Sequence, residues 1–153
     1  LEACRDMLAV AESAGTTVLL PTDHVVAAEF SKDAKASIVS GDIPDGLMGL
    51  DIGPETCQAF ADVLAAAKTI VWNGPMGVFE WEAFRTGTAA VGEAVARASE
   101  GAATGIVGGG DTAAAAELLG VAERVSHVST GGGASLAMLE GSPMPGLDAV
   151  AEK

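Results

Sequence analysis

Three stretches of this chain combine an apolar run, a cluster of glycines and small polar side chains. In residues 105–119 (GIVGGGDTAAAAELL), apolar Gly105-Ile106-Val107 stops at Gly108-Gly109-Gly110, and Asp111 then opens an alanine-rich segment of helix formers. The pattern reads as a buried strand, a tight turn and a helix. Glycines lack β-carbons, so backbone N–H groups can come close to a ligand. The helix start aims its free N–H groups and the positive end of its dipole at the same point. Residues 129–136 (STGGGASL) repeat the arrangement after the β-like run 125–128, and the apolar run 69–72 leads into Asn73-Gly74-Pro75-Met76-Gly77. Three strand-to-glycine transitions on one edge of one sheet make an anion site, with phosphate the expected anion.

Such turns need a frame that gathers the strand ends. Residues 1–14 read as an amphipathic helix rather than a signal peptide, with Leu1, Cys4, Leu8 and Ala11 along its stripe and Gly15 as its stop. Residues 17–20 are apolar and β-branched, end at Pro21 and read as a core strand. Residues 25–30 and 37–40 read as short strands around Ser31-Lys32-Asp33, an antiparallel excursion at the sheet margin. Residues 41–51, broken by Pro44, Gly46 and Gly49, read as loop. A helix is expected from Pro54 to about Ala67, with proline suited to its first turn. A strand at 69–72, a loop at 73–82 and a helix at 86–99 capped by Thr86 follow. A strand at 104–107, a helix at 111–119, a strand at 125–128 and a helix at 133–140 complete the order. Pro143, Pro145 and Gly146 are expected to loosen the tail. This alternation predicts an α/β fold: a Rossmann-like, mostly parallel sheet with helices on both faces, in three α/β/α layers. Ligands in such folds sit beyond the carboxyl ends of the strands, where all three glycine turns fall.

With 153 residues the chain can build one domain and not two ordinary ones. Eight basic residues against 21 acidic ones give a formal net charge of −13, which disfavours nucleic acid and anionic membranes as partners. Phosphoryl chemistry needs cationic help, yet none of the eight bases lies in a glycine turn. Either Mg²⁺ supplies the charge or another segment does, and both are expected. No run is long enough for a membrane span. Cys4 and Cys57 have no metal-ligand spacing, read as small buried or half-buried residues, and point to a reducing, cytoplasmic setting. Asp111 is equally suited to capping its helix. Trp72 and Trp81 read as core, His127 as a structural residue within its strand, and His24 has no partner at metal spacing.

The stretches LLPTDHVVAAEF, MGLDIGPET, TIVWNGPMGVFEWEAFRTGT, GIVGGGDTAA and VSHVSTGGGASLAMLEG, taken in order, closely resemble the C-terminal part of the phosphoglycerate kinase family. The resemblance runs over nearly the whole chain. It implies a glycolytic kinase that moves a phosphoryl group between 1,3-bisphosphoglycerate and ADP, using ATP/ADP and Mg²⁺. It also implies that residues 1–153 are part of the nucleotide-binding domain of a cytoplasmic enzyme that is a monomer at full length. The phosphoglycerate-binding domain and the start of the nucleotide domain have no counterpart here, so the sheet is expected to be incomplete at its N-terminal side and the fragment inactive alone. By the same resemblance, Asp111 would hold the magnesium, while Gly109, Gly110 and Thr112 would hold phosphate oxygens. Glu80, fixed between Phe79 and Trp81, would bind the ribose hydroxyls. Gly49, Leu50 and Val78 would flank the adenine, and Asn73 and Pro75 would shape the phosphate side. Gly131, Gly132 and Gly133, with Gly109, would present N–H groups to the transferred phosphoryl.

Two other classes stay in view. A dinucleotide-binding oxidoreductase fits Gly108-Gly109-Gly110-Asp111-Thr112-Ala113, but the acid that should follow about 20 residues later is replaced by Ser129-Thr130. A nucleotide-binding or interaction module without catalysis is the other. A P-loop hydrolase fails because no GxxxxGK[ST] occurs.

Overall fold

The structure, a computed structural model, describes residues 2–129 and 131–151. Leu1 of the first expected helix and Thr130 of the third glycine turn lie outside the described residues. Helix α1 (Glu2–Ser13) leads through residues 14–22 to β1 (Asp23–Ala27), β2 (Ser37–Ser40) and β3 (Met48–Ile52). Then come α2 (Pro54–Ala66), β4 (Thr69–Trp72), α3 (Thr86–Glu100), β5 (Thr104–Gly108), α4 (Gly110–Leu118), β6 (His127–Ser129), α5 (Gly132–Leu139) and α6 (Pro145–Ala151). Strands β4, β5 and β6 form a parallel sheet in that order, as strand-helix alternation requires.

The antiparallel excursion is a sheet of its own, ordered β2-β1-β3. Its third strand covers part of the span read as loop. Gly49 breaks the apolar alternation of Met48–Ile52 and faces Val26, beside the register shift between Val25 and Val26. Such a bulge hides a strand from pattern reading. The expected core strand at 17–20 does not form. Val18, Leu19 and Leu20 are 45%, 47% and 63% exposed, and the segment pairs with no strand among the described residues; Leu19 lies beside Ile70 and Val71 at the open edge of β4 without joining it. The tail is helical rather than loose, because Pro145 stands at the first position of α6, where a missing N–H costs nothing. Strand β6 begins two residues later than expected, after a 3₁₀ turn at Ala122–Arg124, which puts His127 at its exposed start. Cys4 is exposed and Cys57 half-buried. Helix α1 buries none of its side chains.

Two buried carboxylates tie the small sheet to the helices of the parallel layer. Asp23, 1% exposed, accepts from the N–H of Glu55 (3.0 Å), the N–H of Thr56 (2.8 Å) and the Thr56 hydroxyl (2.6 Å). It therefore caps α2 from a strand, with Pro54 leaving no donor unmet at the first position. Asp51 does the same for α3, accepting the N–H of Gly87 at 2.7 Å. Thr86 lies inside the helix and provides no side-chain cap. Space for each carboxylate comes from a glycine: a β-carbon on Gly53 would stand 2.1 Å from Asp23 Oδ2, and one on Gly87 2.2 Å from Asp51 Oδ1. The main core then gathers Ile52, Ile70, Trp72, Val91, Val95, Val107 and Val121, while Ala27, Ala34, Leu50 and Phe84 form a second cluster.

Burial alone would raise the Asp23 pKa, but the hydrogen bonds from Thr56 and Glu55 outweigh it and hold the carboxyl below its ordinary range. At Asp51 burial wins over the bonds from Gly87 and Ile52, and the pKa rises. The two groups have opposite pH signatures. The Asp23 contribution is complete above the unfolded-state value of about 3.9 and is lost as pH falls through its lower folded value. Asp51 instead favours the folded state at low pH and loses that contribution as pH climbs through its raised folded value. Replacing Asp23 by Ala should lower unfolding free energy in urea by about 2–4 kcal/mol near neutrality. Asp23→Asn should also flatten the loss of stability below about pH 4; an unchanged acid limb in the variant would rule the charge out as its source.

Candidate functional site

Strands β4, β5 and β6 end side by side, with Trp72 opposite Val107 and Gly108 opposite Ser129. All three glycine transitions therefore open from one sheet edge. Gly109 has φ 99°, a conformation open to glycine and rarely to other residues, and this turns the chain from β5 into α4. Its N–H donates to Ser129 O at 3.1 Å, so the second glycine turn is stitched to the end of the third strand. The third turn stacks on the second: a β-carbon on Gly132 would fall 2.6 Å from Gly109 Cα and 2.9 Å from Gly109 N. Asn73 closes the other side, its Oδ1 3.0 Å from where a Gly109 β-carbon would stand.

Because Gly109 N–H is committed to β6, the donors facing outward belong to the first turn of α4. The N–H groups of Gly110, Asp111 and Thr112 have no acceptor among the described residues, as expected of a helix start. The Thr112 hydroxyl is buried and accepts the N–H of Gly74 at 2.7 Å, so that side chain ties the first glycine turn to α4. Asp111 is exposed and bonds to nothing among the described residues, so it is not its helix's cap; Gly109 occupies that position without a side-chain bond. At the start of α5, Gly131 N–H donates to Ser129 Oγ at 3.3 Å, and Gly132 and Gly133 begin the helix.

The loop after β4 is held along its length. Beyond Gly74, the N–H groups of Met76 and Gly77 donate to the buried Thr88 hydroxyl at 3.1 and 3.3 Å. Val78 N–H donates to Leu50 O at 2.9 Å. Pro75 has no N–H to place. Trp72 lies in the core, as expected, and its indole N–H reaches back to Gly74 O at 2.9 Å. The loop thus joins the glycine turns to β3. There Gly49, Leu50 and Val78 line a hollow of about 380 Å³ together with His24, Asp51 and Met76. Glu80 lies further along and is exposed. The residues flanking it are held: Phe79 is buried, and Trp81 packs on Phe30 and Phe84 with ring centroids 4.5 and 6.2 Å apart. Sequence reading missed Thr88 and Asp51. A hydroxyl in the first turn of an otherwise apolar helix face was the available signal for Thr88; nothing local marks Asp51.

No cation is placed at these turns among the described residues. Arg124 bonds Glu93 and Glu100 at 2.6 Å each, and Arg97 bonds Glu93 at 2.8 Å. These bonds pull Glu93 down to about 2 and Glu100 below its ordinary value. Nor do three or more His, Cys, Asp or Glu side chains converge on a metal position among the described residues. The edge offers oriented N–H groups, glycine clearance and one exposed carboxylate. That set can hold an anion together with a cation the anion brings.

The family model for phosphoglycerate kinase matches residues 1–142. The chain is 54% identical over 144 residues to phosphoglycerate kinase of Lacticaseibacillus casei, covering 94% of this chain and 36% of that one. It is 50% identical over 153 residues to cytosolic phosphoglycerate kinase of Triticum aestivum, covering 99% of this chain and 38% of the relative. Among solved structures, phosphoglycerate kinase from Coxiella burnetii superposes with a TM-score of 0.90 at 41% identity, over 99% of this chain and 38% of that one. The Pyrococcus horikoshii enzyme gives 0.71 at 32% identity over 86% and 32%. The chain thus spans well under half the length of the relatives it matches.

Stacking of the two glycine turns predicts a sharp contrast between neighbours. Gly132→Ala should destabilise the fold by about 1–3 kcal/mol, since the backbone of Gly109 cannot yield to a new methyl. Gly133→Ala should be nearly neutral, because nothing lies within 4 Å of its added carbon. Urea melts of the two variants check this; equal midpoints would mean that the turns do not stack.

Proposed function

Because the chain belongs to the phosphoglycerate kinase family, we propose that it is the nucleotide-binding part of a longer phosphotransferase. That enzyme moves a phosphoryl group between 1,3-bisphosphoglycerate and ADP in glycolysis, in the cytoplasm. Family membership removes the dinucleotide oxidoreductase reading. The observation that carries the proposal is the convergence of three glycine turns beyond the carboxyl ends of β4, β5 and β6, bridged by a fixed loop to the hollow at Gly49, Leu50 and Val78. One end suits phosphates and the other a flat apolar base.

In this reading the adenine lies against Gly49, Leu50 and Val78, and Glu80 takes the ribose hydroxyls. The phosphates run past Asn73 and Pro75 to the start of α4. Gly110, Asp111 and Thr112 offer backbone N–H groups there, and Gly109 provides clearance rather than a donor. Gly131, Gly132 and Gly133 edge the place where the transferred phosphoryl would stand. Magnesium fits these residues: it is commonly held by one or two carboxylates and the phosphates themselves, and Asp111 is a free carboxylate beside the phosphate donors. When bound, the ion neutralises charge that builds on the phosphates. The chain itself supplies alignment and fixed dipoles. The phosphoglycerate and the cationic side chains for it would come from the rest of the longer protein, a monomer.

Calorimetric titration with Mg-ADP tests the assignment. Binding in the micromolar to millimolar range that disappears with EDTA is expected, and Asp111→Ala should weaken it roughly tenfold or more without altering the circular dichroism spectrum. A folded chain that takes up no Mg-ADP would overturn the nucleotide reading. Equal affinity in Asp111→Ala would remove that residue from the metal.

A further inference from the structure

Arg85 makes no ion pair among the described residues, although acidic residues surround it in sequence. Its guanidinium is instead committed to backbone. Nε donates to Phe79 O at 2.6 Å, and Nη2 donates to Glu80 O at 3.1 Å. Both are charge-assisted bonds to consecutive carbonyls of one turn.

The turn does not need them to close. Phe79 N–H already donates to Gly77 O at 2.9 Å, Trp81 N–H to Val78 O at 3.0 Å and Phe84 N–H to Trp81 O at 3.0 Å. What the guanidinium adds is the orientation of the two peptide planes on either side of the Glu80 Cα. The anchor of Arg85 is itself rigid: Phe84 before it is fully buried, and Gly87 after it is fixed by the Asp51 carboxylate. Asp51 belongs to β3, the strand that carries Gly49 and Leu50. Glu80 and the β3 wall are thereby referred to one frame, with Arg85 as the last link.

We propose that Arg85 is a positioning residue for the Glu80 carboxylate, and so sets how strongly a nucleotide's ribose hydroxyls are recognised. This rests on the nucleotide reading given above. Arg85, Lys32, Glu80, Trp81 and Glu82 line one shallow hollow of about 630 Å³, open enough for a sugar edge to reach the carboxylate.

The test compares the affinities of the whole chain for Mg-ADP and for Mg-2′,3′-dideoxy-ADP, which lacks both hydroxyls. The wild-type chain should prefer ADP by roughly tenfold, the scale of a charged hydrogen bond. Glu80→Ala should bring the ratio close to one. Arg85→Ala should bring it most of the way there, with dideoxy-ADP affinity unchanged, and Arg85→Lys should fall between. A wild-type ratio in Arg85→Ala would overturn the proposal, as would equal weakening of both nucleotides, which would mark a merely structural role. Should Arg85→Ala not fold, an unchanged ratio in Arg85→Lys would overturn it. A wild-type chain that binds both equally removes Glu80 from the ribose and Arg85 with it; one that binds neither overturns the nucleotide reading itself.

Discussion

Helix starts leave backbone N–H groups without partners, and the way this chain meets that requirement organises everything else. Helices α2 and α3 carry no capping side chains of their own, and the small antiparallel sheet provides both carboxylates, Asp23 and Asp51. Capping here is a tertiary contact. It fixes the distance and angle between two sheets that share no strand. It also demands glycine at positions 53 and 87, because any side chain there would displace the carboxylate. Helix α4 is left uncapped by any side chain, and its donors open toward the glycine turns. The starts of α2 and α3 are met by carboxylates from the small sheet, and the start of α4 is left open.

The same economy shows in the electrostatics. A chain with a net charge of −13 is a poor host for phosphates unless positive potential is concentrated locally. Arg97 and Arg124 are paired with Glu93 and Glu100, and the Arg85 guanidinium is engaged by two backbone carbonyls of the loop after β4. What remains at the sheet edge is the dipole of α4 and its unmet N–H groups, fixed partial charges that need no counter-ion and undergo little reorganisation. Oriented N–H groups and one exposed carboxylate at that edge suit an anion that brings its own cation.

Local signals were legible and distant ones were not. The limits of β4 agree with the apolar run at 69–72, and Pro54 marked the start of α2. The three glycine turns could be placed on one edge because parallel alternation forces strand ends together. Met48–Ile52 was hidden by a glycine and a bulge within the strand, where Leu50 is skipped by the register. Residues 17–20 have the composition of a strand, but composition cannot say whether a segment will join the ladder beside it. The capping pairs lie 33 and 36 residues apart, and Thr112 reaches Gly74 across 38, so no window of sequence contains both partners. Gly109 shows the limit most clearly. Its need for glycine was readable from the turn, but the direction of its N–H, toward Ser129 rather than outward, depends on a strand two elements later.

The loop from Asn73 to Val78 has a consequence for the entropy of binding. Loops near ligands usually sample many conformations and lose them when the ligand arrives, at a cost of about 1–2 kcal/mol per residue fixed. Here every N–H from Gly74 to Val78 that exists is already bonded, to Thr112, Thr88 or Leu50. That ordering was met when the chain folded. A ligand lying between the glycine turns and β3 would therefore find this wall preorganised, and its affinity would not be discounted for freezing it. Amide hydrogens in an irregular segment would exchange with solvent as slowly as those of the strands beside it.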